Sequence, residues 1–166
     1  MDILAYYIMV NDEEVDDMMD LDDAGLIAYI DDLEKDKSER FCLDRMWDGM
    51  HFLISGKSLE DAEDDDENSA TVVGVHAFDT SDEIFVGCTE SGELEDIIEI
   101  MGSVGIDALC SKADLSKFRK NDIYPDIWFD ESKDKLMIEL KNGFTKLLEF
   151  YKAALKKNLN VIISIY

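Results

Sequence analysis

The chain has 166 residues, 46% of them hydrophobic and 10% aromatic, which is enough to bury a core and excludes a disordered acidic tail. Forty acidic residues stand against sixteen basic ones, for a net charge of −24. That field excludes direct binding to nucleic acid, which needs Lys and Arg to displace counterions, and opposes anionic membrane surfaces.

In chain order, Ile3–Val10 (ILAYYIMV) is apolar on both alternating faces and reads as a strand covered on both sides. Asn11, with Glu14 three places on, is a capping-box signal opening a short helix that carries Val15, Met18 and Met19. A second helix is expected over Asp23–Glu34, with Leu26, Ile27, Ile30 and Leu33 on one stripe. A third is expected over Leu43–Ile54, stopped by Gly56. Residues 57–70 hold the mutually repelling run Glu63–Glu67 and read as an exposed acidic loop. Thr71–Phe78 and Ile84–Cys88 read as a hairpin, and Thr89 as the cap of a helix running to about Met101.

A smaller helical piece is expected between Ser111 and Lys120, a turn at Tyr124-Pro125 and a short strand at Ile127–Phe129. The clearest helix spans Lys133–Lys157, where Leu136, Leu140, Phe144, Leu147, Leu148, Tyr151, Ala154 and Leu155 are expected to form one face. Gly143 inside it costs about 1 kcal/mol against Ala and is a place for a local bend. Val161–Ile165 is a terminal strand. Irregular alternation of strands and helices argues for one α+β domain over residues 1–166. Its sheet is expected to be mixed, with the N- and C-terminal strands at its centre.

The charge is unevenly placed. Residues 1–109 hold 32 acids and 5 bases, whereas residues 110–166 hold 8 acids and 11 bases. Such a field draws in basic proteins and cations, and it also serves solubility. The N-terminal Met1-Asp2-Ile3 lacks a basic signal region, no apolar run approaches membrane-spanning length, and Cys42, Cys88 and Cys110 are odd in number. A cytoplasmic chain with reduced thiols is expected.

Signatures of Ser hydrolases, phosphate-binding loops, zinc proteases and dinucleotide folds are absent, and no metal or cofactor site is assigned. Asp20–Asp31 has a calcium-loop spacing, but Ala24 stands where an oxygen ligand is needed. The third helix carries the candidate site. Trp47 lies on its core face, His51 at the edge of that face, and Asp44 and Asp48 on the neighbouring strip. A histidine beside two carboxylates favours its charged form, provided that it is not deeply buried. Tyr124 and Trp128 are candidates to line a pocket with these residues. His76 reads as a half-buried residue of the hairpin.

The stretch Trp47-Asp48-Gly49-Met50-His51-Phe52-Leu53, closed by Gly56, resembles the helix signature of the YfbM-like bacterial proteins. The later order is also similar: Phe85 before a helix, Tyr124-Pro125 ahead of Trp128, then the long helix and final strand. Where relatives carry a glycine pair and a Tyr-Gly turn after the mid-chain loop, this chain has Gly74 alone. The resemblance implies a small cytoplasmic bacterial domain and no particular reaction. Together these features point to a non-enzymatic interaction module of the immunity or inhibitor kind that binds a basic protein. The alternative is a small-molecule binder or enzyme around Trp47, His51 and Tyr124. Oligomeric state is not encoded in any pattern here.

Overall fold

A computed structural model describes residues 1–35 and 39–166. The first strand, β1 (Ala5–Val10), pairs antiparallel with the last, β5 (Asn160–Ile165), at the centre of a five-stranded sheet ordered β2-β1-β5-β4-β3. The outer strands are β2 (Arg40–Asp44), β4 (Phe85–Thr89) and β3 (His76–Ala77). Every pairing is antiparallel, which corrects the expected mixed sheet within an α+β class that is as expected. The connection from β1 to β2 is a two-helix excursion, α1 (Asp12–Met18) and α2 (Asp23–Lys35). It returns the chain to the sheet end that it left, since Ile8 pairs with Arg40.

Alternation along the central strands creates two cores. Ala5, Tyr7 and Met9 of β1, with Val161, Ile163 and Ile165 of β5, join the larger one. Ile8, Val10 and Ile162 point the other way, onto Met18, Leu26, Ile30 and Leu33 of α1 and α2. Helices on both faces explain why β1 reads as an unbroken apolar run.

The larger core is covered by α3 (Trp47–Ser55), α4 (Glu67–Val73), α5 (Leu94–Ser103), α6 (Ile106–Lys112), α7 (Leu115–Lys120) and α8 (Lys133–Lys157). The α8 limits agree with the sequence reading. Gly143 serves close approach, because a Cβ there would come 2.9 Å from Leu43 Cδ1. The Asn11–Glu14 capping box opens α1 as expected.

Several elements differ from expectation. Arg40–Asp44 forms an edge strand that takes up the free side of β1, so the third helix begins only at Trp47. Gly56 ends that helix with φ +73°, the left-handed cap expected of it. Thr71–Val73, β-branched and read as strand, belongs to α4, which also takes in the last residues of the 57–70 stretch. Asp66 caps this helix, and its final carbonyls accept from tyrosines: Tyr7 Oη donates to Val72 O (2.6 Å) and Tyr151 Oη to Thr71 O (2.8 Å). These tertiary bonds override local strand preference.

Thr89 ends β4 rather than capping a helix. Glu90 and Glu93 instead cap each other's backbone around a short 3-10 turn before α5. The piece expected near Ser111–Lys120 is split between α6 and α7, with Asp114 capping the latter. Ile127–Phe129 is not a strand, and its amides bond two residues back, Ile127 N to Pro125 O (2.8 Å) and Phe129 N to Ile127 O (2.9 Å). The calcium-like spacing is the start of α2, where Asp22 Oδ1 accepts from Gly25 N at 2.8 Å. Among the described residues, no helix is long and apolar enough to cross a membrane.

Candidate functional site

The N-terminal half of α3 is a closed aromatic junction. Trp128 packs on Gly49 so tightly that a methyl group there would overlap its indole ring. Its Nε1 donates to Ile123 O (2.9 Å), and its other neighbour Phe118 stands 4.8 Å away between ring centres. Trp47 stacks on Tyr124 with ring centres 6.1 Å apart and donates from Nε1 to Ile3 O (3.1 Å). Tyr124 Oη accepts from Ile3 N (2.9 Å), so these two rings clamp the residue that leads into β1.

Asp48 is buried beside this clamp, and its Oδ2 accepts from Tyr124 N at 2.8 Å. Its Oδ1 has no partner among the described residues. Burial pushes this carboxyl above the usual carboxylate range, the Tyr124 amide opposes the shift, and Glu60 adds to it. The structure therefore brings Trp47, Asp48, Tyr124 and Trp128 together. Asp44 lies apart, exposed at the end of β2 with φ +61°, its carboxylate accepting from Arg45 N.

His51 meets the exception to the charge expected from its neighbours in sequence, because it is deeply buried. It is fully buried, and neither Asp44 nor Asp48 hydrogen-bonds it. Nδ1 lies 3.0 Å from Lys57 O, a group that can only accept, so Nδ1 carries the proton. Nε2 is then the acceptor of the Ser69 hydroxyl at 2.6 Å. Desolvation holds the imidazole below its ordinary pKa, so it is neutral where the sequence pattern favours charge. Ser69 is itself buried near the start of α4 and lines a concavity of about 510 Å³ with Leu59, Ala70 and Phe85. The amides of Asn68 and Ser69 are bonded to Asp66 Oδ1, at 3.0 and 3.1 Å.

The open site lies at the other end of α3, between α4 and α5. Ile54, Ile100, Val104 and Leu109 give an apolar floor to a groove of about 680 Å³, rimmed by Glu67, Asp96 and Glu99. A contiguous hollow of about 200 Å³ shares Glu67, Asp96 and Ile100 and adds Asp64, Asp65 and Glu93. None of the residues lining either hollow is basic. The amphipathic character of α5 explains the pattern: Leu94, Ile97 and Met101 are buried, which turns Asp96 and Glu99 outward. Lys57 is the cation at the border, 3.8 Å from Asp66. Sequence reasoning located the negative charge in residues 1–109 but not this groove, whose rim comes from two helices. The usable signal was the acidic spacing on α5 beside the run Glu63–Glu67.

Comparisons with known proteins give the same placement for the whole chain. A family model described as a domain of unknown function, DUF1877, matches residues 1–164. Protein YfbM of Escherichia coli (strain K12) is 25% identical over 167 residues, covering 98% of this chain and 99% of that protein. The crystal structure of YfbM from Escherichia coli, described as a protein of unknown function, superposes with a TM-score of 0.83 at 23% identity. It covers 98% of this chain and 99% of that one, and at this identity the likeness shows the fold.

Proposed function

We propose, for a chain that belongs to the DUF1877 family, that the groove between α4 and α5 docks a basic segment of a partner protein. The molecule then acts as a non-enzymatic interaction module of the inhibitor or immunity kind. The observation that carries this reading is the pairing of an apolar floor (Ile54, Ile100, Leu109) with a rim of Glu67, Asp96 and Glu99 and no basic lining residue. Acidic side chains of this kind speed encounter and select sign, while apolar contact in the groove supplies the desolvated part of an interface. A Lys- and Arg-rich amphipathic segment matches both.

The test is fluorescence anisotropy with a labelled basic amphipathic peptide over a salt series. Neutralising the rim with Glu67→Gln, Asp96→Asn and Glu99→Gln together should weaken binding by about tenfold or more, on the scale of a few rim and core charges. Equal loss on neutralising Asp12, Asp16 and Asp20, on α1 and just beyond it, would reduce the effect to net charge and end the reading. Capture from a host lysate at low and high salt would then identify the partner by mass spectrometry.

A second reading, a small-molecule site or enzyme, draws support from the Ser69 hydroxyl donating to His51 Nε2. That is the polarity of a hydroxyl prepared for attack. The amides beside it are already held by Asp66, so donors for an oxyanion are taken, which favours the docking reading. Covalent labelling of Ser69 by a fluorophosphonate, lost in Ser69→Ala, would reverse that preference. In that step the Ser69 oxygen bonds phosphorus, fluoride leaves, and His51 takes the hydroxyl proton.

A further inference from the structure

His76 sits at the start of β3, whereas Glu90 and Glu93 bracket the turn between β4 and α5. The antiparallel pairing of His76 with Cys88 brings these two parts of the chain together. His76 Nε2 lies 2.9 and 3.0 Å from the two oxygens of Glu93. One ring nitrogen of His76 and one oxygen from each glutamate all lie within 4.8 Å of one another. We propose that His76, Glu90 and Glu93 form a binding site for a divalent transition-metal ion of the zinc class.

Three features carry the inference beyond a chance meeting of charges. First, both carboxylates are already oriented by main-chain bonds. Glu93 accepts from Glu90 N (2.9 Å), and Glu90 accepts from the backbone of Glu93. A carboxylate offers about four lone-pair directions, so each keeps acceptor capacity for an ion, and its existing bond does the orienting that outer-sphere partners do in metal sites. Second, the two glutamates are short of cations. No Lys or Arg occurs between Lys57 and Lys112 in the sequence. Among the described residues, no Lys or Arg forms an ion pair with Glu90 or Glu93. His76 alone faces them, and it supplies a positive charge only when protonated. A metal ion would replace that proton on Nε2 and serve both carboxylates at once. Third, one imidazole nitrogen with two carboxylate oxygens is the donor mixture of zinc and its neighbours, whereas calcium and magnesium take oxygen shells.

The side chains of His76 and Glu93 are 55% and 28% exposed, so there is room to close the set around an ion at bond lengths of about 2.0–2.2 Å. The remaining positions open beside a concavity of about 440 Å³ bordered by Val15, Ala77 and Phe78. Cys88 also borders it, but it is not among the three residues whose ligand atoms meet. Three protein ligands with open positions leave the ion free to hold water or an anionic group. The inference is independent of peptide docking, since a metal titration reads it without any partner.

The experiment uses the full chain, stripped of metal with a chelator. Calorimetric titration with Zn²⁺ should give one equivalent, and Co²⁺ should give visible absorption bands with imidazole ligation. His76→Ala and Glu93→Gln should each weaken binding by about tenfold or more, since even outer-sphere losses reach that scale. Gln still completes a capping box, so Glu93→Gln should melt like the parent. Asp82→Asn with Glu83→Gln, in the exposed loop before β4, should leave the affinity unchanged. Unchanged affinity in His76→Ala, or several equivalents lost through the loop variants, would overturn the proposal in favour of diffuse binding by acidic surface.

Discussion

At the first turns of α3, Trp128 packs on Gly49, Trp47 stacks on Tyr124, and each polar handle of the junction is engaged apart from Asp48 Oδ1. Where the same helix ends, Ile54 floors a groove that stays open under a carboxylate rim. Both regions are rich in the side chains from which binding sites are made. In the first, the indole and phenol groups bond the main chain of Ile3 and Ile123 and serve stability. In the second, like charges border apolar residues that the neighbouring helices leave uncovered. Residue type therefore nominates a site, but unspent hydrogen bonds and unburied apolar surface decide whether one exists.

The sharpest way to break this contrast is to open the closed end. Gly49→Ala forces a methyl group into the Trp128 ring and should cost about 3 kcal/mol, the upper range for overpacked cores. Its urea midpoint should fall markedly, and an unchanged midpoint would show the junction to be loose. Ser69→Ala comes next. It leaves His51 Nε2 buried without a donor and should cost about 1–3 kcal/mol by the same measurement.

The pH dependence of stability refines that result. The folded state holds the His51 imidazole below its ordinary value, so on acidification the unfolded chain takes up this proton first. The His51 contribution is therefore complete above about pH 6.5 and declines below it. Urea midpoints from about pH 7.5 down to 5.5 should show the loss, and His51→Gln should flatten it over that window.

Asp48→Asn should act in the opposite sense. The folded carboxyl holds its proton more tightly than the unfolded one, so stability from this group declines as pH rises through the raised value. Removing the buried charge should gain about 1 kcal/mol at neutral pH, shrinking toward pH 4. The smallest effect belongs to the open end. The triple neutralisation at Glu67, Asp96 and Glu99 should shift stability by no more than about 0.5 kcal/mol while weakening the basic peptide. A large stability loss there would mean that the rim is structural, and the contrast between the two ends would disappear.

Legibility followed the range of the signals. Asn11 with Glu14, Gly56 as a left-handed cap, and the limits Lys133–Lys157 were readable because caps and periodicity act within a few residues. The strand Arg40–Asp44 was not, since five residues with a half-exposed pattern gain their meaning from the open side of β1. Thr71–Val73 misled through its β-branching, because the tyrosine hydroxyls that hold its carbonyls come from positions 7 and 151. Four of the candidate residues, Trp47, Asp48, Tyr124 and Trp128, meet in space. His51 shares their helix but faces Ser69, a partner eighteen positions away that no sequence spacing singled out.

What the sequence determined by itself was the set of amphipathic faces, the caps at Asn11 and Gly56, the two apolar strands at the centre of the sheet, and the excess of negative charge. Those follow from side-chain chemistry repeated at helical or strand period, which acts within a turn or two. Only the tertiary structure decided that His51 is neutral, that the tryptophans seal a core, and that Glu67 meets Asp96 and Glu99 across a groove. Desolvation and hydrogen-bond partnership are properties of neighbours brought from distant parts of the chain, and a charge or an aromatic ring takes its role from them.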